Sequence, residues 1–204
     1  MRAVIISGGS IKDYNYIKSL FKADDFIICA DSGYDHAVKM GVKADLLVGD
    51  LDSIIQQPQN IACIKFPKKK DYTDTEIALE QAREKGYNSF LLVAATGSRM
   101  DHTLANIMML IDCLKRGEYA EVIDEHNRIM ITNSQLNVRE CKEAIISLIP
   151  LTDCFGVTTT NLEYQLYDAT LYMGKALSLS NSMMENTANI SVRGGILLVI
   201  VAKD

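Results

Sequence analysis

The 204-residue sequence has no apolar run near the roughly 20 residues that span a bilayer, so no transmembrane helix is expected. It has no C-x-x-C pair. Its five cysteines, Cys29, Cys63, Cys113, Cys141 and Cys154, are odd in number and scattered, mostly inside apolar segments. That pattern reads as buried reduced thiols rather than a disulfide framework or a structural zinc site. Basic residues are not gathered on one segment, and the formal net charge is −5, which argues against a nucleic-acid binder. The one basic run, Lys68 to Lys70, is short enough to be a solvated loop. Neither G-x-G-x-x-G nor G-x-x-x-x-G-K-[ST] occurs, so the usual glycine signatures of dinucleotide and P-loop sites are missing. The opening stretch, MRAVIISGGS, reaches glycines after a few apolar residues; it is shorter than a secretory core and reads as a buried first strand. A cytoplasmic location is the expectation.

What is present falls into two styles. Up to about residue 125, apolar runs alternate with helix-period segments. The runs lie at 3–6, 26–30, 45–49, 61–66 and 89–95, nearly continuous and rich in Ile, Val and Leu, as in strands buried on both faces of a parallel sheet. Between them, helices are predicted over 12–22, 33–40, 74–85 and 102–116, the last three closed by Gly41, Gly86 and Gly117. The alternation implies an open, mainly parallel, Rossmann-like α/β sheet with flanking helices. Beyond about residue 126, short Thr-, Ser- and aromatic-bearing segments at 144–149, 156–166, 169–173, 176–180, 188–193 and 195–202 are punctuated by Gly, Asn and Asp. That pattern predicts an all-β sandwich. The expected domains are therefore 1–125 and 126–204.

In open α/β sheets ligands sit beyond the carboxyl ends of the strands. Ser7-Gly8-Gly9-Ser10 follows the first predicted strand, Asp31-Ser32-Gly33 the second and Gly49-Asp50-Leu51-Asp52-Ser53 the third. Lys70 and Asp71-Tyr72-Thr73-Asp74 follow the fourth, and Thr96-Gly97-Ser98-Arg99-Met100-Asp101-His102 the fifth. Some of these have purely structural readings. Thr73-Asp74-Thr75-Glu76 is a capping box that would place Asp74 in a first helical turn, where an acid is favoured anyway. Asp101 has a similar place before the next helix, and His102 has no second His or Cys at ligand spacing. Asp50 and Asp52 fit such readings poorly, because two like charges are held together directly after a buried strand. Clustered aspartates without His or Cys favour a hard cation; Mg²⁺ typically links a few carboxylates to substrate phosphates.

The segments GDLDS (49–53), KDYTDTEIAL (70–79), TGSRMDHTLAN (96–106), LSLSN (177–181) and ISVRGGILLVI (190–200) resemble, in order and spacing, those of the thiamine pyrophosphokinase family. The resemblance runs over essentially the whole chain. It implies a domain that binds ATP and Mg²⁺, a β-sandwich that binds thiamine and pairs the subunits, and a homodimer with sites between subunits. By the same resemblance, Asp50, Asp52, Asp74 and Asp101 hold metal and polyphosphate, and Asp31 is the acid ending the second strand. Arg99 lies beside the substrates, with Lys70 as a second phosphate donor, and Ser180 and Asn181 contact thiamine. Gly8, Gly9, Gly33 and Gly97 complete the nucleotide edge. Asp101 is the candidate to orient the attacking hydroxyl and accept its proton. Two departures stand out: the second motif reads Asp31-Ser32-Gly33 where two glycines are common, and Met183 and Met184 occupy the region of a stacking aromatic, in a chain without tryptophan. The alternatives weighed against this reading are a dinucleotide-binding oxidoreductase and a non-enzymatic ligand sensor.

Overall fold

The computed structural model describes residues 1–58, 61–67, 71–140 and 142–203. The chain divides into two compact units, Met1–Glu125 and His126–Asp204. Among the described residues no helix is long and apolar enough to cross a membrane.

The first unit has six described strands: β1 (Ala3–Ile6), β2 (Phe26–Ala30), β3 (Leu46–Gly49), β4 (Ala62–Lys65), β5 (Ser89–Val93) and β6 (Tyr119–Ile123). They alternate with α1 (Tyr14–Ser19), α2 (Gly33–Met40), α3 (Asp74–Glu84) and α4 (Met100–Lys115), save that β4 follows β3 without a helix. The sheet order is β6-β5-β1-β2-β3-β4, and each neighbouring pair is parallel. The chain walks outward from β1 to β4, then returns to the far side of β1 for β5 and β6. The order therefore reverses between β1 and β5, which opens a crevice at their carboxyl ends.

β1, β3 and all but the first residue of β2 and β5 are buried, as strands covered on both faces must be. Helical side chains complete one core, with Ile17, Tyr34, Ala37 and Met40 packed against Val4, Ile6, Cys29, Leu47 and Val93. Three expectations need correction here. The segment 61–66 is not a doubly buried strand: among the described residues β4 is the sheet edge, and its residues are exposed or half-buried. Cys63 is accordingly exposed, while Cys29, Cys113 and Cys154 are buried and free; Cys141 lies outside the described residues. The first helix spans six residues rather than 12–22, because Asp13 caps it by accepting from the N–H groups of Asn15 and Tyr16. The run Tyr119–Ile123 was not anticipated as a strand, yet it pairs with β5 along its whole length.

The second unit contains β7 (Asn127–Thr132), β8 (Gln135–Arg139), β9 (Ile145–Pro150), β10 (Cys154–Thr160), β11 (Ala169–Leu171), β12 (Asn181–Ser182), β13 (Thr187–Ser191) and β14 (Leu197–Ala202). β12, β9, β14 and β7 are neighbours in that order, all antiparallel, and β11-β10-β13-β8 form a second antiparallel sheet. One apolar cluster draws on both: Met130, Ile146, Leu148 and Val199 from the first, Val138, Val157, Leu171 and Ile190 from the second. The alternating segment 176–180 is not a strand. It follows a turn at Gly174 and meets β9 through hydrogen bonds that Ser178 exchanges with Leu148 and that the Ser180 N–H donates to Ser147 Oγ, while Leu177 and Leu179 point outward.

Candidate active site

The crevice at the strand reversal is a cleft of about 390 Å³. Its walls come from Ser7 to Ser10 after β1, Asp31 and Ser32 after β2, and Thr73 to Thr75 at the start of α3. The remainder comes from Ala94 to Arg99 after β5 and from His102, Thr103 and Asn106 on α4. Of the residues expected from sequence, Gly8, Gly9, Asp31, Asp74, Gly97 and Arg99 meet here. Gly33 begins α2 beneath the end of β1. Asp50 and Asp52 sit on the loop leaving β3, and Asp101 lies in the first turn of α4 outside the cleft lining. Lys70 lies outside the described residues.

The floor of the cleft is tightly built. Ser7, Gly9 and Ser10 donate backbone hydrogen bonds to Val93, Ala94 and Thr96 at 2.9, 2.7 and 2.9 Å, which laces the first loop to the fifth. A Cβ at Gly9 would run into the carbonyl oxygens of Ala94 and Thr96, so this position needs glycine for close backbone approach. Ser7 and Thr75 join hydroxyls at 2.9 Å while buried, tying β1 to the start of α3. Thr73 caps α3, its Oγ1 accepting from the Glu76 N–H at 3.2 Å. His36 braces the glycine loop from behind: its Nε2 donates to the Gly9 carbonyl at 2.9 Å, and its Nδ1 accepts from the Tyr14 hydroxyl at 2.9 Å. A carbonyl only accepts, which fixes that tautomer. Burial, with help from Lys39, holds the imidazole pKa below its ordinary value and keeps it neutral.

The acids give the site its charge. Asp31 is half-buried in a left-handed backbone conformation at φ 47°. One carboxylate oxygen accepts from the Ser53 hydroxyl, while Oδ1 is buried with no hydrogen-bond partner among the described residues. Burial, then the neighbouring Asp74 and Asp50 charges, push the Asp31 carboxyl above its usual range, against the pull of the Ser32 and Leu51 amides. Gly49, at φ 145°, separates the acids: a Cβ there would lie 3.1 Å from Asp31 Cβ and 3.2 Å from Asp74 Oδ1. Any side chain would therefore fill the gap between two carboxylates. Asp52 is exposed, and its backbone N–H donates to Asp50 Oδ1 at 3.0 Å.

Among the described residues, no three His, Cys, Asp or Glu side chains form a closed metal cage. The donors nevertheless fit Mg²⁺, which keeps water and takes only one or two carboxylates alongside substrate phosphates. An orphaned buried carboxylate oxygen facing a second carboxylate is the feature such an ion would relieve. At the rim, Arg99 holds Asp101 in a two-pronged ion pair, Nη2 to Oδ2 at 2.6 Å and Nε to Oδ1 at 2.9 Å. The Arg99 hydrogen bonds keep the Asp101 carboxyl well below the usual carboxylate range, which makes it a poor proton acceptor and a better orienting group.

Two family models match the chain, the thiamin pyrophosphokinase catalytic domain over residues 17–122 and the vitamin B1 binding domain over residues 133–197. The chain belongs to the thiamin pyrophosphokinase family. Like other thiamine pyrophosphokinases it is a transferase, and neither the oxidoreductase nor the sensor alternative is favoured. It is 29% identical over 186 residues to the thiamine pyrophosphokinase of Bacillus subtilis, covering 87% of each chain. The crystal structure of the Bacillus subtilis enzyme superposes with a TM-score of 0.91 at 25% identity over the full length of both chains. That of the Geobacillus thermodenitrificans enzyme gives 0.89 at 25% identity, over all of this chain and 98% of the other.

The remaining expected pair of this thiamin pyrophosphokinase family member lies in its second unit. Ser180 is left-handed at φ 54°, and its N–H donates to Ser147 Oγ at 3.1 Å. The Asn181 amide is engaged at both ends by Tyr164: Oδ1 accepts from its N–H at 3.1 Å and Nδ2 donates to its carbonyl at 2.7 Å. Sequence reasoning did not single out Thr103, Asn106, Asp35 and His36. For two of these a signal existed. Arg99, His102, Thr103 and Asn106 recur at i, i+3, i+4 and i+7, a polar stripe beside apolar positions 107, 110 and 114. Asn106 is buried there and donates to the Ala95 carbonyl at 2.7 Å.

Proposed function

We propose that the chain transfers the pyrophosphoryl group of ATP to the primary hydroxyl of thiamine, yielding thiamine diphosphate and AMP. The hydroxyl oxygen bonds to the β-phosphorus, the bond from that phosphorus to the α,β-bridging oxygen breaks, and AMP departs with that oxygen as the hydroxyl proton passes to water. Such transfers depend mainly on positioning and charge neutralisation. Asp31, Asp50, Asp52 and Asp74 would hold Mg²⁺. When bound, it supplies positive charge that offsets the triphosphate oxygens. The glycine and hydroxyl loop Ser7–Ser10 and the Thr73–Thr75 turn give the triphosphate a close backbone surface. Arg99 donates to phosphate oxygens, and Asp101, fixed by Arg99, orients the attacking hydroxyl. The buried Asp31 oxygen without a partner among the described residues carries this reading, because a cation beside it would satisfy it and offset the neighbouring acids.

Thiamine binds through Ser180 and Asn181 in the second unit, whose two sheets form a sandwich, and the working form is a homodimer with sites shared between subunits. Exposed Tyr164, Tyr167, Tyr172, Met173, Leu177 and Met184 in that unit support a face covered by another chain. The free thiols of Cys29, Cys113 and Cys154 support a reducing, cytoplasmic setting. The deciding experiment measures AMP released from ATP by the purified chain. Release that requires both thiamine and Mg²⁺ is expected; release independent of thiamine would overturn the assignment.

A further inference from the structure

Asp35 lies in the first turn of α2 and is only 8% exposed. A first-turn acid is ordinarily explained by the helix dipole, which asks for neither burial nor distant partners. Here the carboxylate reaches out of its helix to a loop twenty residues further on. Oδ1 accepts from the Gln56 N–H at 2.9 Å and from the Ile55 N–H at 3.2 Å; Oδ2 accepts from the Ile55 N–H at 3.0 Å. Ile55 itself is exposed, so its side chain does not hold the segment in place.

That loop is the one carrying Asp50 and Asp52. Its entry is fixed by the sheet, where Asp31 N–H donates to the Val48 carbonyl at 2.8 Å and Phe66 N–H to the Gly49 carbonyl at 3.0 Å. Its middle is strained and charged: Leu51 is left-handed at φ 65° between two acids, and the Asp52 N–H donates to Asp50 Oδ1 at 3.0 Å. Leu51 and Ile54 pack against the core, and Ser53 bonds Asp31. Like charges at the mouth of the cleft push this loop outward whenever no cation is bound. Asp35 supplies the opposing tie at the exit. A carboxylate accepting two backbone N–H groups makes charge-assisted bonds, stronger than neutral ones.

We propose that Asp35 is a positioning residue that clamps the Ile55–Gln56 backbone and so holds Asp50 and Asp52 in place for the divalent cation before it arrives. The proposal rests on the reading that these acids bind the metal. Its test therefore uses the full chain and two readouts other than turnover: hydrogen exchange of the 50–56 segment without metal, and Mn²⁺ binding, followed by the paramagnetic resonance of free Mn²⁺ with a non-hydrolysable ATP analogue present. Asp35→Asn keeps the side chain's size but turns one acceptor into a donor facing an N–H. Gln56→Pro removes one donor from the loop side without touching the helix. Both variants should speed exchange at Ile55 and weaken Mn²⁺ binding by about ten- to a hundredfold, the usual loss when a group that orients metal ligands is removed. The thiamine KM should stay within about twofold, since uniform damage to the fold would raise it too. If both variants bind Mn²⁺ and exchange like the parent, the clamp is wrong; if Asp35→Asn does not fold, Gln56→Pro alone decides. Asp50→Asn and Asp52→Asn serve as references. Should they bind Mn²⁺ like the parent, the metal reading itself fails, and that outcome is separate from failure of the clamp.

Discussion

Replacing Asn181 with alanine tests a residue that the fold engages and that is proposed to contact thiamine. Its amide makes two hydrogen bonds to the backbone of Tyr164, at 3.1 and 2.7 Å. Around them, residues 161–164 are zipped to 182–184: Glu163 N–H donates to the Ser182 carbonyl at 2.9 Å and Met184 N–H to the Asn161 carbonyl at 2.8 Å. A net hydrogen bond contributes about 0.5–1.5 kcal/mol, and the half-buried setting favours the lower half of that range. The pair together is then worth roughly 1–2 kcal/mol, a fall in Tm of about 2–8 °C for a chain of this size. Thermal unfolding without ligands checks this directly. An unchanged Tm would refute the view that these bonds matter to the fold.

The kinetic side separates the two roles. If the residue also serves thiamine, Asn181→Ala should raise the thiamine KM far more than that for ATP. Ser147→Ala removes the acceptor for the Ser180 N–H and disturbs the same turn, so it reports the purely structural effect. Equal changes in the two variants would return Asn181 to the fold alone. Mixing Asn181→Ala with Asp50→Asn chains adds a test of shared sites. A heterodimer would hold one site with both defects and one with neither, so activity should partly return on subunit exchange. A mixture as inactive as its parts, with exchange demonstrated, would end the shared-site proposal.

The other expectations are more local. Asp50→Asn and Asp52→Asn should each lower turnover by orders of magnitude and leave the metal-free Tm unchanged or higher, because they relieve like-charge repulsion; parental rates in both would remove these acids from the chemistry. Asp74→Asn should lose turnover with little change in Tm, whereas Thr73→Ala, which deletes the α3 cap, should cost about 0.5–2 kcal/mol of stability. The reverse ordering, measured by calorimetry beside rate assays, would make Asp74 a purely helical acid. His36 has a folded pKa below its ordinary 6.5, so the folded state resists protonation. Its contribution is complete above about pH 6.5 and is lost as the pH falls through that value towards the folded pKa. Stability measured from pH 7.5 down should drop in the parent and less in His36→Asn; parallel curves would contradict the assignment.

How far the sequence revealed the molecule follows from where each segment is buried. β1, β2, β3 and β5 were legible because burial on both faces demands unbroken apolar runs. β4 shares that composition but lies at the edge, and nothing local distinguishes an edge from a centre. β6 escaped because Glu121 interrupts its apolar run; the acid is buried there, accepting from the Tyr119 hydroxyl at 3.0 Å. β7 and β8 escaped because polar residues dominate their ends, although β7 gains its place by pairing with β14 along six residues. The segment 176–180 misled in the other direction: alternation alone does not supply a partner strand, and Leu177 is 77% exposed. In the site, the acids announced themselves by clustering. Asp35 and His36 did not, because their work depends on loops 20 and 27 residues away.

Backbone strain gives an independent check on which parts of the chain are shaped for more than stability. Among the described residues, seven other than glycine are left-handed: Asp31, Leu51, Ala94, Glu143, Asn161, Asp168 and Ser180. Asn and Asp tolerate this conformation by bonding locally, and Asn161 and Asp168 lie in the connection between β10 and β11, where such residues are ordinary. Leu51 and Ala94 have no such excuse, and each costs roughly 1–3 kcal/mol. Both sit directly beyond a parallel strand: Leu51 between the paired acids, Ala94 where β5 meets the glycine loop. Asp31 adds a buried carboxylate oxygen left without a partner, and Ser180 immediately precedes Asn181. Local rules are therefore broken beside the residues assigned to metal, triphosphate and thiamine, where a folded chain tolerates strain that ligands can relieve. A chain selected for stability alone would have glycine at 51 and 94 and no unpartnered carboxylate oxygen at 31.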